Sequence, residues 1–276
     1  MVASHLVWGE EYGSHELDGR FMKLKVLGCS GGIGGEDSRT SSFLVDDDVL
    51  IDCGTGVGDL SFDDLRRISH VFVSHSHVDH IAAIPLLVDS IGEVCHHTVT
   101  LYASAETLHI LRAHVFNWLV WPDFTAIPDR RFSYLRLQPV QIGESVQLND
   151  RSFTALPVLH TVPGSGWLLD SGEGQLIYSG DTTYCPDFIA AINACQSLRY
   201  LLVETAFPEE MRAMAMAARH LCPGMLEAML SELTVSPEVY ISHLKTGMDN
   251  RIMEQIDALN MPLRPKRLMR NQVFEF

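Results

Sequence analysis

The segment VSHSHVDH, residues 73–80, places His75, His77, Asp79 and His80 within six positions directly behind an apolar run. Imidazole nitrogens and carboxylate oxygens suit Zn²⁺, Mn²⁺ or Fe²⁺, with no need for a thiolate. His75 and His77 share one side of an extended segment, whereas Asp79 and His80 turn elsewhere once the chain enters a helix, so one loop can serve two cations. Similar residues follow other apolar runs: Asp52 after VLI, His160 after TALPVL, Asp181 after LIYSG, Glu204 after YLLV and His243 after VYIS. In α/β sheets the strand ends along one edge line the ligand crevice, where residues distant in sequence can meet. A lone strand-end histidine is more often a hydrogen-bonded structural group than a ligand. Three within six residues, followed by two more and an aspartate, favour a di-metal site.

The elements that must position these groups read as short apolar strands alternating with turns and helices from Met22 onward. MKLKVLG is a strand, SSFLVDD and VLIDCG form a hairpin, LSFDDLRRI is an acidic helix, HVFVSH is a buried strand, and IAAIPLLVDSIG is a packed helix. TVTLYAS is a strand, AETLHILRAHVFNWLV a helix, and FSYLRLQ, ESVQLN and SFTALPVLH three strands of a meander. GWLLDS, QLIYSGD, YLLVET and EVYISH are further strands, joined by a helix around PDFIAAINAC and a Met- and Ala-rich helical region over 209–233. The mixture implies an α/β layered sandwich of two sheets with helices outside. Residues 22–276 read as one catalytic domain and 1–21 as a loosely packed extension.

A formal charge of −15 argues against long nucleic acid or an anionic membrane as partner, since both need a clustered positive field. Bound divalent cations could supply a local positive centre for an anionic substrate. Cysteines 29, 53, 95, 185, 195 and 222 form no CxxC pair and read as reduced thiols of a cytoplasmic protein. The first 21 residues carry acids and no continuous apolar stretch, so they are neither a signal sequence nor a membrane span.

HSHVDH resembles the HxHxDH motif of the metallo-β-lactamase superfamily, and LPVLHT, SGDT and ISHLKTG continue its pattern in order. The resemblance implies a four-layer αββα sandwich with a dinuclear site. It puts His75, His77 and His160 on one ion, Asp79, His80 and His243 on the other, and Asp181 between them. Two divalent cations, zinc ahead of manganese or iron, about 3.5 to 4 Å apart could hold a hydroxide for in-line attack on phosphorus. Within the superfamily, VLGCSGGIGGEDSRTSSFLVDDDVLIDCGTG, VETAFP and ISHLKTG resemble the class II 3′,5′-cyclic-nucleotide phosphodiesterases, although Val78 and Thr246 stand where that class commonly has leucine and proline. The implied activity is hydrolysis of a small cyclic phosphodiester, such as cyclic AMP, to a 5′-monophosphate. An RNase Z-type tRNA endonuclease and an inactive nucleotide-binding member of the fold are the alternatives.

Asp79, Glu204 and Lys245 are the expected catalytic residues. Glu204, or a histidine touching it, could protonate the leaving alkoxide; alternatively Glu204 orients a ligand imidazole, His243 or His80. Lys245 could grip a phosphate oxygen, and Asp52 is expected to buttress a metal histidine. The GCSGGIGG loop reads as a tight turn under the site. FNWLVWPDF, unusually apolar for a loop, reads as a homodimer contact or a pocket cap, and the Met-rich run as adaptable packing or a lid.

Overall fold

The computed structural model describes residues 21–35, 37–95, 97–129 and 131–276; the expected extension lies, apart from Phe21, outside the described residues. Two seven-stranded sheets dominate. From edge to edge the first runs Val273–Glu275, Lys23–Gly28, Ser42–Val45, Val49–Cys53, His70–Phe72, Val99–Ala103 and Leu135–Pro139; the second runs Lys266–Arg267, Glu238–Ser242, Leu198–Glu204, Gln175–Tyr178, Ser165–Asp170, Arg151–Pro157 and Ser145–Leu148.

The period-two alternation of strand side chains sorts the apolar residues into three layers. Leu50, Val71 and Leu101 pack outward against the helices Ile84–Gly92 and Ala105–His114. Their neighbours Ile51, Phe72 and Tyr102 face inward, meeting Phe153, Trp167, Tyr178 and Leu202 between the sheets. On the far side Ile177, Leu201, Val203 and Ile241 pack on the helices Pro186–Asn193, Pro223–Ser231 and Asp249–Asp257. This is the αββα order that the metallo-β-lactamase resemblance implies.

Val49–Cys53, His70–Phe72, Val99–Ala103 and Leu135–Pro139 run parallel in the first sheet. Gln175–Tyr178, Leu198–Glu204 and Glu238–Ser242 run parallel in the second. Their carboxyl ends deliver Asp52, the 74–80 loop, Asp181, Glu204 and His243. The sheets are tied there by a bridge between His75 and Gly164, with Ser165 N donating to Ser74 O at 2.9 Å.

Two sequence expectations need correction. FSYLRLQ does not join the meander: its strand Leu135–Pro139 pairs in parallel with Val99–Ala103 in the other sheet, Leu137 beside Leu101. A parallel partner needs a crossover, here through Ala105–His114, and nearest-neighbour pattern cannot show one. The helix expected through residue 120 stops at His114, because Asn117 Oδ1 accepts from Leu119 N and Val120 N and builds a turn with Trp118 at φ +66°. The Met-rich region is helical as expected, in the segments Glu209–Met211, Arg212–Ala218 and Pro223–Ser231, with Arg219 at φ +53° ending the second.

Between the sheets Phe72 stacks on Tyr102 and Phe153 at 4.5 Å and meets Trp167 edge-on at 5.0 Å. Phe72→Ala is expected to cost about 3–5 kcal/mol, seen as a lower urea midpoint at unchanged m-value.

Candidate metal centre

His75 and His77 follow the strand His70–Phe72, and the short helix Val78–Ile81 begins behind His77, so Asp79 and His80 approach from a helical turn, with the His80 ring centre 4.2 Å from that of His75. His77 Nδ1 lies 3.0 Å from His75 Nε2 and 3.1 Å from His160 Nε2. Asp181 stands between two groups of side chains. Its Oδ2 is 3.5 Å from His75 Nε2 and 3.8 Å from His160 Nε2; its Oδ1 is 3.3 Å from both His80 Nε2 and His243 Nδ1. Asp79 Oδ2 adds to the second side, 3.8 Å from His80 Nε2 and 3.9 Å from His243 Nε2. All seven residues expected as metal ligands therefore meet in space.

The arrangement fits cations. His80 Nε2, Asp181 Oδ1 and His243 Nδ1 are buried without a hydrogen-bond partner among the described residues. On the other side two imidazole nitrogens lie within 3.1 Å of His77 Nδ1, a ring nitrogen that has at most one proton to share between them, and a cation could take its place.

The opposite ring edges are held by partners that fix the tautomer. Asp52 Oδ2 accepts from His80 Nδ1 at 2.7 Å, and also from Ser74 Oγ and the Tyr178 hydroxyl, while Oδ1 accepts from Ser74 N. Asp52 thus buttresses His80, the role the sequence assigns to it. His75 Nδ1 meets Ser74 Oγ at 3.0 Å, and His160 Nδ1 donates to the Arg219 carbonyl at 3.1 Å. Backbone strain accompanies these placements, since Asp52 and His243 sit at φ +52° and +56°. Gly31 is required beside the second, because a Cβ there would lie 2.5 Å from the His243 carbonyl oxygen.

Burial, with the neighbouring His80 charge, holds His75 well below the usual histidine pKa, and burial likewise lowers His77 and His160. His243 is pushed down to about 4. Burial also opposes charge on His80, yet Asp181 and Asp52 outweigh it and raise its pKa well above the usual value. Burial would raise Asp181, but the facing His243, His80 and His75 hold it well below the usual carboxylate range.

Glu204 corrects one expectation. It touches neither His243 nor His80; Oε1 accepts from His220 Nδ1 at 2.7 Å and from Thr182 N, and Oε2 from Ala206 N and Leu221 N. His220 escaped the sequence reading because no strand precedes it. The available signal was a histidine at the break between two Met-rich helices. It offers a ring nitrogen within 4.8 Å of ligand atoms of Asp181 and His243, and its ring stacks on His243 at 5.3 Å. Burial would lower its pKa, but the charge and hydrogen bond of Glu204 raise it. Lys245 is half-buried with Nζ 5.7 Å from the Phe207 ring centre, and Phe207 lies against His220. His109 and His114 are exposed on their helix.

Residues 47–244 match the family profile described as "Beta-lactamase superfamily domain". A Yersinia pestis protein named "Probable 3′,5′-cyclic-nucleotide phosphodiesterase" is 31% identical over 54% of the chain, spanning 43% of its own length. An Aliivibrio fischeri "3′,5′-cyclic-nucleotide phosphodiesterase" is 26% identical over 82% of both chains. The crystal structure of unliganded yeast PDE1 superposes with a TM-score of 0.75 at 18% identity, over 91% of this chain and 98% of that one.

Asp52→Asn is expected to weaken metal binding about 10- to 100-fold, measured by chelator competition, because His80 loses its charged partner. Acidification should also destabilise the chelator-treated protein. A histidine whose folded pKa lies below its usual 6.5 leaves the unfolded chain to bind the proton first, so stability is intact above that pH and falls as pH drops toward about 4. His75, His77, His160 and His243 all act this way. His80 and His220, raised, oppose this as pH falls through 6.5 because the folded chain already holds their protons, and Glu204, whose carboxyl burial pushes up, opposes it nearer the carboxylate range; the four lowered histidines outnumber the two raised ones. Thermal melts between pH 7 and 4.5 check the sign.

Proposed function

The chain belongs to the β-lactamase superfamily, and from that premise we propose that it is a metal-dependent phosphodiesterase that opens 3′,5′-cyclic nucleotides to 5′-monophosphates. The carrying observation is that Asp181 turns one carboxylate oxygen toward His75 and His160 and the other toward His80 and His243. Two ion positions sharing one carboxylate suit a phosphodiester centre. His75, His77, His160 and Asp181 would hold one ion, and Asp79, His80, His243 and Asp181 the other. Two divalent cations, zinc being the best match to this imidazole-rich set, would supply Lewis acidity that makes a water nucleophile available near neutral pH and offsets phosphoryl charge.

The remaining work falls to side chains around the centre. His220, its Nδ1 bonded to Glu204, is favoured in the imidazolium form and would protonate the leaving ribose oxygen. Glu204 touches no ligand histidine and acts through His220 as a positioning residue. Lys245 beside Phe207 would grip a phosphate oxygen as a point charge. A mononucleotide offers one phosphodiester that the cations can neutralise, whereas the −15 charge disfavours a long polyanion. Unpaired cysteines suit a cytoplasmic setting, and no helix among the described residues is long and apolar enough to cross a membrane.

The test is a product assay on cyclic mononucleotides, cyclic dinucleotides and a precursor tRNA, with metal content determined on the same sample. Chelator-sensitive formation of a 5′-monophosphate is expected. Cleavage of the precursor tRNA alone would assign an endonuclease, and inactivity of metal-replete protein a binding module. His220→Ala should lower kcat on a cyclic nucleotide about 10²- to 10⁴-fold with metal content intact. It should barely change hydrolysis of bis-(p-nitrophenyl) phosphate, whose leaving group needs no proton, and it should remove the alkaline fall of the kcat profile.

A further inference from the structure

His160, like His75, His77 and His243, lies outside the named strands and helices, on residues 158–160 following the strand Arg151–Pro157. A ligand on such a segment needs an external hold on both its peptide plane and its ring. One residue supplies both. The Arg219 carbonyl accepts from His160 Nδ1 at 3.1 Å, and Arg219 Nη1 donates to the His160 carbonyl at 2.7 Å. Because a carbonyl can only accept, Nδ1 must carry the proton, which leaves the Nε2 lone pair directed at His77 Nδ1.

Arg219 holds this position in a conformation that its side chain does not favour. At φ +53° it terminates the helix Arg212–Ala218 in the left-handed region, where glycine would be free of strain. It is exposed and forms no ion pair among the described residues, so its guanidinium is not held there by a carboxylate. The next residue is His220, fixed by Glu204. Two adjacent residues in the break between the helices Arg212–Ala218 and Pro223–Ser231 therefore set the imidazole of His160 and the one beside it.

We propose that Arg219 is a positioning residue for His160, gripping the residue at its carbonyl and its ring so that Nε2 stays aimed at the ion held with His75 and His77. The proposal rests on the assignment of His160 as a metal ligand. The same hold gives the arginine a role at a position where backbone geometry alone would favour glycine.

Arg219→Gly deletes the guanidinium, keeps the carbonyl and relieves the backbone, so the chain is expected to fold. In calorimetric zinc titrations of chelator-stripped protein, wild type should take up two ions. The glycine variant should bind one of them roughly 10-fold more weakly and the other unchanged, at an undiminished melting temperature of the metal-free protein. The His160 Nδ1 proton, followed by NMR, should exchange faster, and Arg219→Lys should recover part of both effects. Two unshifted binding steps and an unchanged imidazole proton would overturn the proposal while leaving the phosphodiesterase reading in place. A wild-type chain that binds no zinc would overturn both.

Discussion

Lone pairs forced together away from water are the constraint that the rest of this structure answers. His75, His80, His160, Asp181 and His243 are all buried and turn nitrogen or oxygen atoms toward a common space. Burying a polar group without a partner costs roughly 1–3 kcal/mol in proteins, and a charge costs more. His80 Nε2, Asp181 Oδ1 and His243 Nδ1 have no hydrogen-bond partner among the described residues, while the far edges of His75, His80 and His160 are each bonded. Atoms bonded on one side and bare on the other mark a binding surface rather than a defect of packing.

Holding that surface open requires rigid support, and two carboxylates provide it in parallel ways. Asp52 and Glu204 are fully buried, and each accepts four hydrogen bonds, one of them from an imidazole. Position separates the two pairs. His80 is wholly enclosed with its free nitrogen against Asp181, whereas His220 keeps a little exposure at the rim beside Phe207. The same carboxylate and imidazole pairing thus occurs once deep against Asp181 and once nearer the surface.

The two halves of the centre come from different sheets, so the spacing between the sheets sets the spacing of the donors. Phe72, Phe153 and Trp167 fill that interval, and the His75–Gly164 bridge closes it at the edge where the strands end. An apolar core about one side chain deep is stiff because it is close-packed. The inter-sheet packing is consequently part of the site even though it touches no donor.

The donor set was legible in the sequence because each member follows an apolar run or belongs to one dense loop, so local pattern located Asp52, His75, His77, His80, His160, Asp181, Glu204 and His243 before any coordinates. The mixture of short strands and helices likewise implied a layered sandwich, and the family resemblance implied its αββα order. Tertiary structure decided the rest. His220 and Arg219 sit at a helix break whose significance depends on Glu204 and His160, 16 and 59 positions away. The placement of Leu135–Pro139 in the first sheet depends on a crossover, and the partner of Glu204 on which loop folds over it. Sequence determines what a residue can do and which way its strand turns it; which distant group it meets is set by long-range packing, because that energy belongs to pairs of segments and is written in neither alone.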